Sequence, residues 1–296
     1  MIKLTHNDQT LSILPQRGGL ICSWKIAGND LLYTPADFSA QESSWPGAGI
    51  PTCFPFAGRV WNKGMLYRYA IDGIEYSMPL HGFLYGMPLK GEMLSPFKAR
   101  LITRATEASK VLYPFDFEYE ASVTLISPRS FEIEITVTHL SHEQVNSEHT
   151  LMPVALGLHP YFRTGVQDAL MLSMNSSQGF HVVTPSGAAG RFSSIDEFPA
   201  MPLKVEDHPL LKSLIFTKFT RAESILRVSE GLSVKIVETS QTPRFNHMVV
   251  WSNDLNEFYC VEPWMSLPDG IQTPSGAVWL KKGERCSMKI AFTAVQ

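Results

Sequence analysis

Phe131-Glu132-Ile133-Glu134-Ile135-Thr136-Val137-Thr138 alternates apolar and polar side chains without a break. Successive side chains of a strand point to opposite faces, so Phe131, Ile133, Ile135 and Val137 face a core while the glutamates and threonines face water. A sheet with one solvated face is an antiparallel one. The same period of two recurs on both sides of this stretch. Upstream, Leu20, Cys22 and Trp24 mark a strand opened by Gly18-Gly19, and Ala27-Gly28-Asn29-Asp30 has the chemistry of a hairpin turn into Leu31-Leu32-Tyr33. Residues 66 to 70, the turn Ile71-Asp72-Gly73-Ile74, and then Tyr76, Met78 and Leu80 read as a second hairpin. Downstream, strands are expected at 232–237, 248–251, 258–261, 278–280 and 288–293. Helical spacing is confined to one short candidate around Leu210, Leu211, Leu214 and Ile215. Strands do not alternate with long helices, so a parallel α/β sheet is excluded and an all-β, large antiparallel sandwich is expected.

Composition bounds what such a fold does. With 296 residues and 44% hydrophobic content the chain can bury a full core, and one domain over residues 1–296 is expected. No internal repeat or linker divides it, although residues 182 to 209, rich in Pro, Gly and Ser, read as a long excursion. A net charge of −3 leaves no electrostatic footprint for nucleic acid or an anionic membrane. No apolar run approaches the ~18 residues that span a bilayer, and the first residues lack a secretory signal's apolar core, so a cytoplasmic protein is expected. Cys22, Cys53, Cys260 and Cys286 lie far apart, with no C-x-x-C pair and no zinc-ligand spacing. They read as reduced core thiols, with no metal.

Candidate chemistry gathers at two proline-marked sites. In Gly157-Leu158-His159-Pro160-Tyr161-Phe162 the residue before proline is pushed into extended geometry, and Pro160 cannot donate to a ladder, so His159 is expected at a strand end. Glu262-Pro263-Trp264 repeats the device after the apolar run Phe258-Tyr259-Cys260-Val261, which places a carboxylate at the end of a second strand. Residues 34 to 58 carry Pro35, Pro46, Gly47, Gly49, Pro51, Pro55 and Gly58 and read as a long functional loop that leads into Arg59. His139, His142 and His149 match no metal motif and read as solvated loop histidines.

Taken together, Gly18-Gly19, Phe54-Pro55-Phe56-Ala57-Gly58-Arg59, Met78-Pro79-Leu80-His81-Gly82-Phe83, the segment 153–162 and Cys260-Val261-Glu262-Pro263-Trp264-Met265-Ser266-Leu267-Pro268-Asp269 resemble the landmarks of the aldose 1-epimerase (mutarotase) family, in order and over nearly the whole chain. The resemblance implies a galactose mutarotase-like supersandwich with an open sugar-binding cleft. It implies an isomerase that interconverts the α and β anomers of a free hexose, with no cofactor or metal. Its partner is a small-molecule sugar, and a monomer or homodimer is expected.

That chemistry needs a base for the C1 hydroxyl proton and an acid for the ring oxygen, so that the ring opens, C1 rotates and the ring closes on the other face. A carboxylate near 4.3 and an imidazole near 6.5 suit these tasks. By resemblance Glu262 is the base, His159 the acid, His81 a donor to the ring oxygen or a neighbouring hydroxyl, and Arg59 a sugar-binding residue. Tyr161, Trp251 and Trp264 offer apolar faces to the pyranose. Taken alone, His159 reads as a structural histidine, Arg59 as a surface ion-pair partner and the tryptophans as core. The arginine that commonly follows the family's His-Gly-Phe segment is Tyr85 here, which points away from a phosphorylated sugar. A hexose-6-phosphate epimerase and a non-catalytic sugar-binding protein are the alternatives. The family's substrate-binding aspartate has no clear counterpart; Asp196 and Asp207 are candidates by position.

Overall fold

Ser130–His139 lies in the middle of a nine-stranded sheet, paired antiparallel with Phe117–Ser127 on one side and Arg285–Val295 on the other. Phe131, Ile133, Ile135 and Val137 are buried, while Glu132 and Glu134 reach Lys289 on the neighbouring strand at 3.8 and 3.3 Å. Exposed pairs of this kind add little stability; they mark the solvated face. The computed structural model describes residues 1–140, 150–165, 170–176, 178–183, 191–195, 201–272 and 276–296. Among these no helix is long and apolar enough to cross a membrane.

A second, eight-stranded sheet packs on the buried face of the first. Five of its strands position the candidate site residues: β1 (Thr52–Cys53), β2 (Gly157–Leu158), β3 (Tyr161–Arg163), β4 (His247–Trp251) and β5 (Phe258–Trp264). One apolar cluster joins the sheets, drawing Ile133, Val137 and Phe292 from one and Leu158, Phe162, Val250 and Val261 from the other. Phe162 and Phe292 meet across the interface with centroids 6.4 Å apart. All named pairings are antiparallel, and the layers form a β-sandwich.

Alternation then decides what the outer face of the second sheet presents. On β5, Tyr259 and Val261 enter the shared core, so Phe258, Cys260, Glu262 and Trp264 occupy the opposite face. On β4 the core takes Met248 and Val250, leaving Val249 and Trp251 on that same outer face. Leu158 and Phe162 are core residues as well, which turns His159 and Tyr161 outward.

Two expectations are corrected by the structure. Pro209–Lys212 is a single 3-10 turn and Ser213–Phe216 is a strand paired with β4, because the leucine spacing that mimics a helix runs through a turn into a ladder. The one α-helix among the described residues is Glu107–Leu112, held by a capping box in which Thr106 and Ser109 exchange bonds of 3.1 and 2.8 Å. His139 is not a solvated loop residue. It ends its strand buried, with Nδ1 3.0 Å from the Leu280 carbonyl; His142 and His149 lie outside the described residues. The stretch 182 to 209 contributes the strands Arg191–Ile195 and Leu203–Lys204, the remainder of it being only partly described.

Candidate active site

Gly157 pairs with Trp264 and Tyr161 with Cys260, and both pairs belong to one register. That register sets His159 directly opposite Glu262, yet the ladder is broken between the two pairs. The His159 amide turns away to the Pro51 carbonyl at 3.0 Å. Pro160 has no N–H to offer the gap. The result is a buried imidazole whose Nε2 stands 3.3 Å from Glu262 Oε2. Glu262 itself is not at a strand end: β5 continues through Pro263 to Trp264. The proline is tolerated because it lies beside the break, where a ladder bond is already missing. Trp264 Nε1 donates to the same Oε2 at 3.0 Å.

His81 arrives from a different segment. Its backbone sits in the left-handed region at φ +62°, its amide donates to the Gly58 carbonyl at 3.0 Å, and its Nδ1 accepts the Gly58 amide at 3.1 Å. The second bond puts the ring proton on Nε2. The following residue must be glycine, since at Gly82 a Cβ would lie 1.9 Å from the Phe54 carbonyl oxygen. Burial, aided by the Arg59 charge, lowers the His81 pKa to about 3. His81 is therefore a neutral donor at physiological pH. Its ring meets that of His159 edge-on at 5.0 Å.

These residues line a cleft of about 660 Å³ that also takes in Arg59, Tyr161, Trp251 and Trp264. The seven residues to which the resemblance gives catalytic or sugar-contacting roles all line it. Tyr161 stacks on His159 at 4.7 Å and 13°, and Trp251 stands 6.0 Å from the same ring. Sequence reasoning missed Trp45. It stacks on His81 at 4.5 Å and donates its indole N–H to the Tyr161 hydroxyl at 3.0 Å, so it bridges two cleft residues. The signal lay in the long 34–58 loop, but nothing there singled out this tryptophan. Buried Arg17 fastens that loop, donating Nη2 to the Ser44 carbonyl at 2.9 Å. Asp207, by contrast, lies at the surface 3.9 Å from Lys204, and Asp196 falls outside the described residues.

The electrostatics of the pair are set by its removal from water. Burial pushes the Glu262 carboxyl well above its usual range, partly opposed by the Trp264 N–H. Burial, then the neighbouring His81, pushes His159 well below its usual value. In water the glutamate is the stronger acid by about two pH units. Both shifts move the balance of the pair away from the carboxylate–imidazolium form and toward the acid–imidazole form.

His159, Cys260 and Glu262 each offer a ligand atom within 4.8 Å of the others, a grouping that no linear spacing announces because it spans two strands. Burial and the Glu262 charge push the Cys260 thiol well above its usual value, so it stays protonated unless a metal displaces the proton.

A buried carboxylate, two histidines and a wall of aromatic rings thus meet in one open cleft on the outer face of the sandwich. The family model for aldose 1-epimerase matches residues 1–293, and the chain belongs to that family, isomerases acting on carbohydrates. No curated protein matches it. Among solved structures, a protein from Synechocystis sp. PCC 6803 superposes with a TM-score of 0.80 at 22% identity, covering 99% of this chain and 95% of that one. A galactose mutarotase-like protein from Lactobacillus casei gives 0.79 at 20% identity, covering 99% of each chain. An aldose epimerase homologue from C. elegans gives 0.75 at 17%, covering 100% and 98%. At these identities the likeness is one of fold.

Proposed function

We propose that this protein is an aldose 1-epimerase that interconverts the α and β anomers of a free hexose. The observation that carries the reading is the pairing of His159 Nε2 with Glu262 Oε2 at 3.3 Å in a sugar-sized cleft. In the carboxylate–imidazolium form, Glu262 takes the proton of the C1 hydroxyl while His159 delivers one to the ring oxygen. The C1–O5 bond breaks and the open aldehyde forms. After rotation about C1–C2 the two transfers reverse, the ring closes on the other face, and the pair returns to its starting form with no net change in protons. His81, with its proton on Nε2, donates to the ring oxygen or an adjacent hydroxyl, and Arg59 binds hydroxyls at the same end. Tyr161, Trp251 and Trp264 supply the apolar faces.

The charges of the cleft support an unphosphorylated substrate. Arg59 is the only Lys or Arg among the described residues lining it, whereas Asp254 and Glu257 stand on its rim. A phosphate dianion would meet more negative charge than positive there.

Anomer exchange followed by NMR of the C1 protons of glucose, galactose and glucose 6-phosphate tests the proposal. Acceleration with a free hexose, reduced at least ~100-fold in Glu262→Gln with the fold retained, is the expected result. An undiminished rate in the variant would remove the mechanism. A preference for glucose 6-phosphate would select the phosphate reading, and binding without acceleration a non-catalytic sugar-binding protein.

A further inference from the structure

Among the described residues one group of three metal-ligating side chains meets, and it meets at the reacting pair: His159, Cys260 and Glu262, whose ligand atoms all lie within 4.8 Å of one another. The backbone builds this group. Cys260 and Glu262 stand two residues apart on β5 and project from the same face, while the register shared by β2 and β3 sets His159 opposite Glu262. Three donors on paired strands make a triangle.

That triangle has the dimensions of a bound cation. Four-coordinate zinc holds nitrogen and carboxylate oxygen at about 2.0–2.2 Å and thiolate sulfur at about 2.3 Å, so neighbouring ligand atoms stand roughly 3.3–3.7 Å apart. His159 Nε2 and Glu262 Oε2 are already 3.3 Å apart. From within 4.8 Å the Cys260 sulfur has roughly 1 Å or less to close, which a small rotation of its side chain supplies. The Trp264 N–H, 3.0 Å from Oε2, orients the carboxylate as outer hydrogen bonds do around metal ligands.

The donors also select the ion. A thiolate, a carboxylate and a neutral imidazole balance a divalent charge in a place where an unbalanced one would be costly. Sulfur and imidazole suit zinc, cobalt or cadmium, whereas magnesium and calcium require a shell of oxygens that one carboxylate does not provide. His159 and Glu262 line the cleft, and Cys260 is wholly buried, packed with Tyr161 and Phe258. An ion reaches the group from the cleft, leaving its fourth position toward the space a sugar would fill.

We propose that His159, Cys260 and Glu262 form a binding site for a thiophilic divalent cation, with zinc the fitting one, and that the bound ion switches the enzyme off. The ligands bind deprotonated, so any proton on the thiol or carboxyl passes to water. The ion occupies the lone pair of His159 and an oxygen of Glu262, the acid and the base of the proposed reaction, so metal and sugar exclude each other. Cys260 takes no part in the proton transfers, and it therefore separates metal binding from catalysis. The inhibition rests on the epimerase reading, while the binding rests on the three donors alone.

Cobalt(II) chloride serves as the spectroscopic probe and zinc chloride as the inhibitor. Titrating the chelator-treated protein with cobalt should raise a thiolate-to-cobalt charge-transfer band and the intense visible bands of four-coordinate cobalt, and zinc should remove both. Zinc at about 10 μM should slow anomer exchange at least ~10-fold, magnesium at the same concentration should leave it unchanged, and more sugar should relieve the inhibition. Cys260→Ala should match the metal-free wild-type rate within about twofold, show no charge-transfer band and need at least ~10-fold more zinc for the same inhibition. Cys260→Ser keeps the volume and lacks the sulfur, and its loss of the band gives the same reading if the alanine variant folds poorly. A wild type without the band, or a band that survives in Cys260→Ala, would overturn the site. Zinc inhibition equal in wild type and Cys260→Ala would overturn the switch. Absence of acceleration with every sugar would overturn the epimerase reading alone, with the cobalt spectra still deciding the site.

Discussion

Trp264 and Glu262 lie two residues apart on one strand, and the indole N–H of the first donates to the carboxylate of the second at 3.0 Å. The bond favours the anion against the burial that disfavours it. Trp264→Phe keeps a ring on the wall and removes the donor, so the Glu262 pKa rises further. On the proposed mechanism Glu262 is a base only above its pKa, and activity should be lost as pH falls through that value. The acid limb of the rate profile should therefore move to higher pH. Rates measured on the acid limb should fall far more than rates on the plateau above it; an equal loss at both would mean the indole serves only as packing.

Trp45 covers His81, stacking at 4.5 Å and 27°. Burial is the largest cause of the low His81 pKa of about 3. Trp45→Ala admits water to the ring, and the pKa should climb toward the ordinary value near 6.5. An NMR titration of the His81 ring proton checks this directly. The same variant also strips the indole donor from the Tyr161 hydroxyl, and KM for the sugar should rise about tenfold, the cost of one or two kcal/mol of lost aromatic contact. A His81 resonance that still titrates near 3 would show that Arg59, not the tryptophan, controls it.

Gly58 ties the two halves of the site together. It exchanges bonds with His81 and packs under Trp264, and a Cβ built on it would lie 2.9 Å from Trp264 Cζ3 and 3.1 Å from Pro268. Its φ of +77° adds strain for any other residue. Gly58→Ala should lower stability by about 2–4 kcal/mol and kcat by more than about tenfold. Gly28→Ala is the comparison: φ is +83°, but nothing lies within 4 Å of the added carbon. It should cost only about 1–2 kcal/mol and leave kcat unchanged. Urea midpoints and exchange rates for the two variants separate backbone strain from collision at the site.

The period of two around Phe131 and the period of two through Phe258–Trp264 carry the fold, because in a sandwich each strand has one face that must be apolar. The same alternation places Glu262, Cys260 and Trp264 on one face. What it does not carry is distance across the chain. The approach of His159 to Glu262 depends on a register shared by two short ladders, and the place of Trp45 depends on a loop whose course is set by bonds such as that from Arg17 to Ser44. Pre-proline geometry was informative at His159, where the ladder does stop, and misleading at Glu262, where the neighbouring break lets the strand continue. The helix Glu107–Leu112 escaped notice because its capping box uses Ser109 in place of the longer Glu or Gln.

Asp269 closes the segment that begins at Glu262, and its chemistry links the cleft to stability. It is buried, its Oδ1 accepts the Trp61 amide at 3.4 Å, and Trp61 lines the cleft. Burial raises its pKa to about 7, against about 3.9 in the unfolded chain. Below about pH 4 both states hold the proton. Between about 4 and 7 the folded state keeps a proton that the unfolded state has released, so stability falls as pH rises, and above about 7 the deficit is constant. Asp269→Asn removes the ionisation and keeps an oxygen for the Trp61 amide. The variant and the wild type should melt together below about pH 4, with the variant pulling ahead as pH rises from about 4 to about 7 and the gap staying constant above that. Discounted for the water that still reaches the carboxyl, the gain at about pH 8 is about 1–2 kcal/mol, or about 2–6 °C in Tm. Melting curves that stay parallel from about pH 4.5 to 8 would mean that Asp269 is ionised in the folded protein and that its hold on Trp61 is that of a carboxylate.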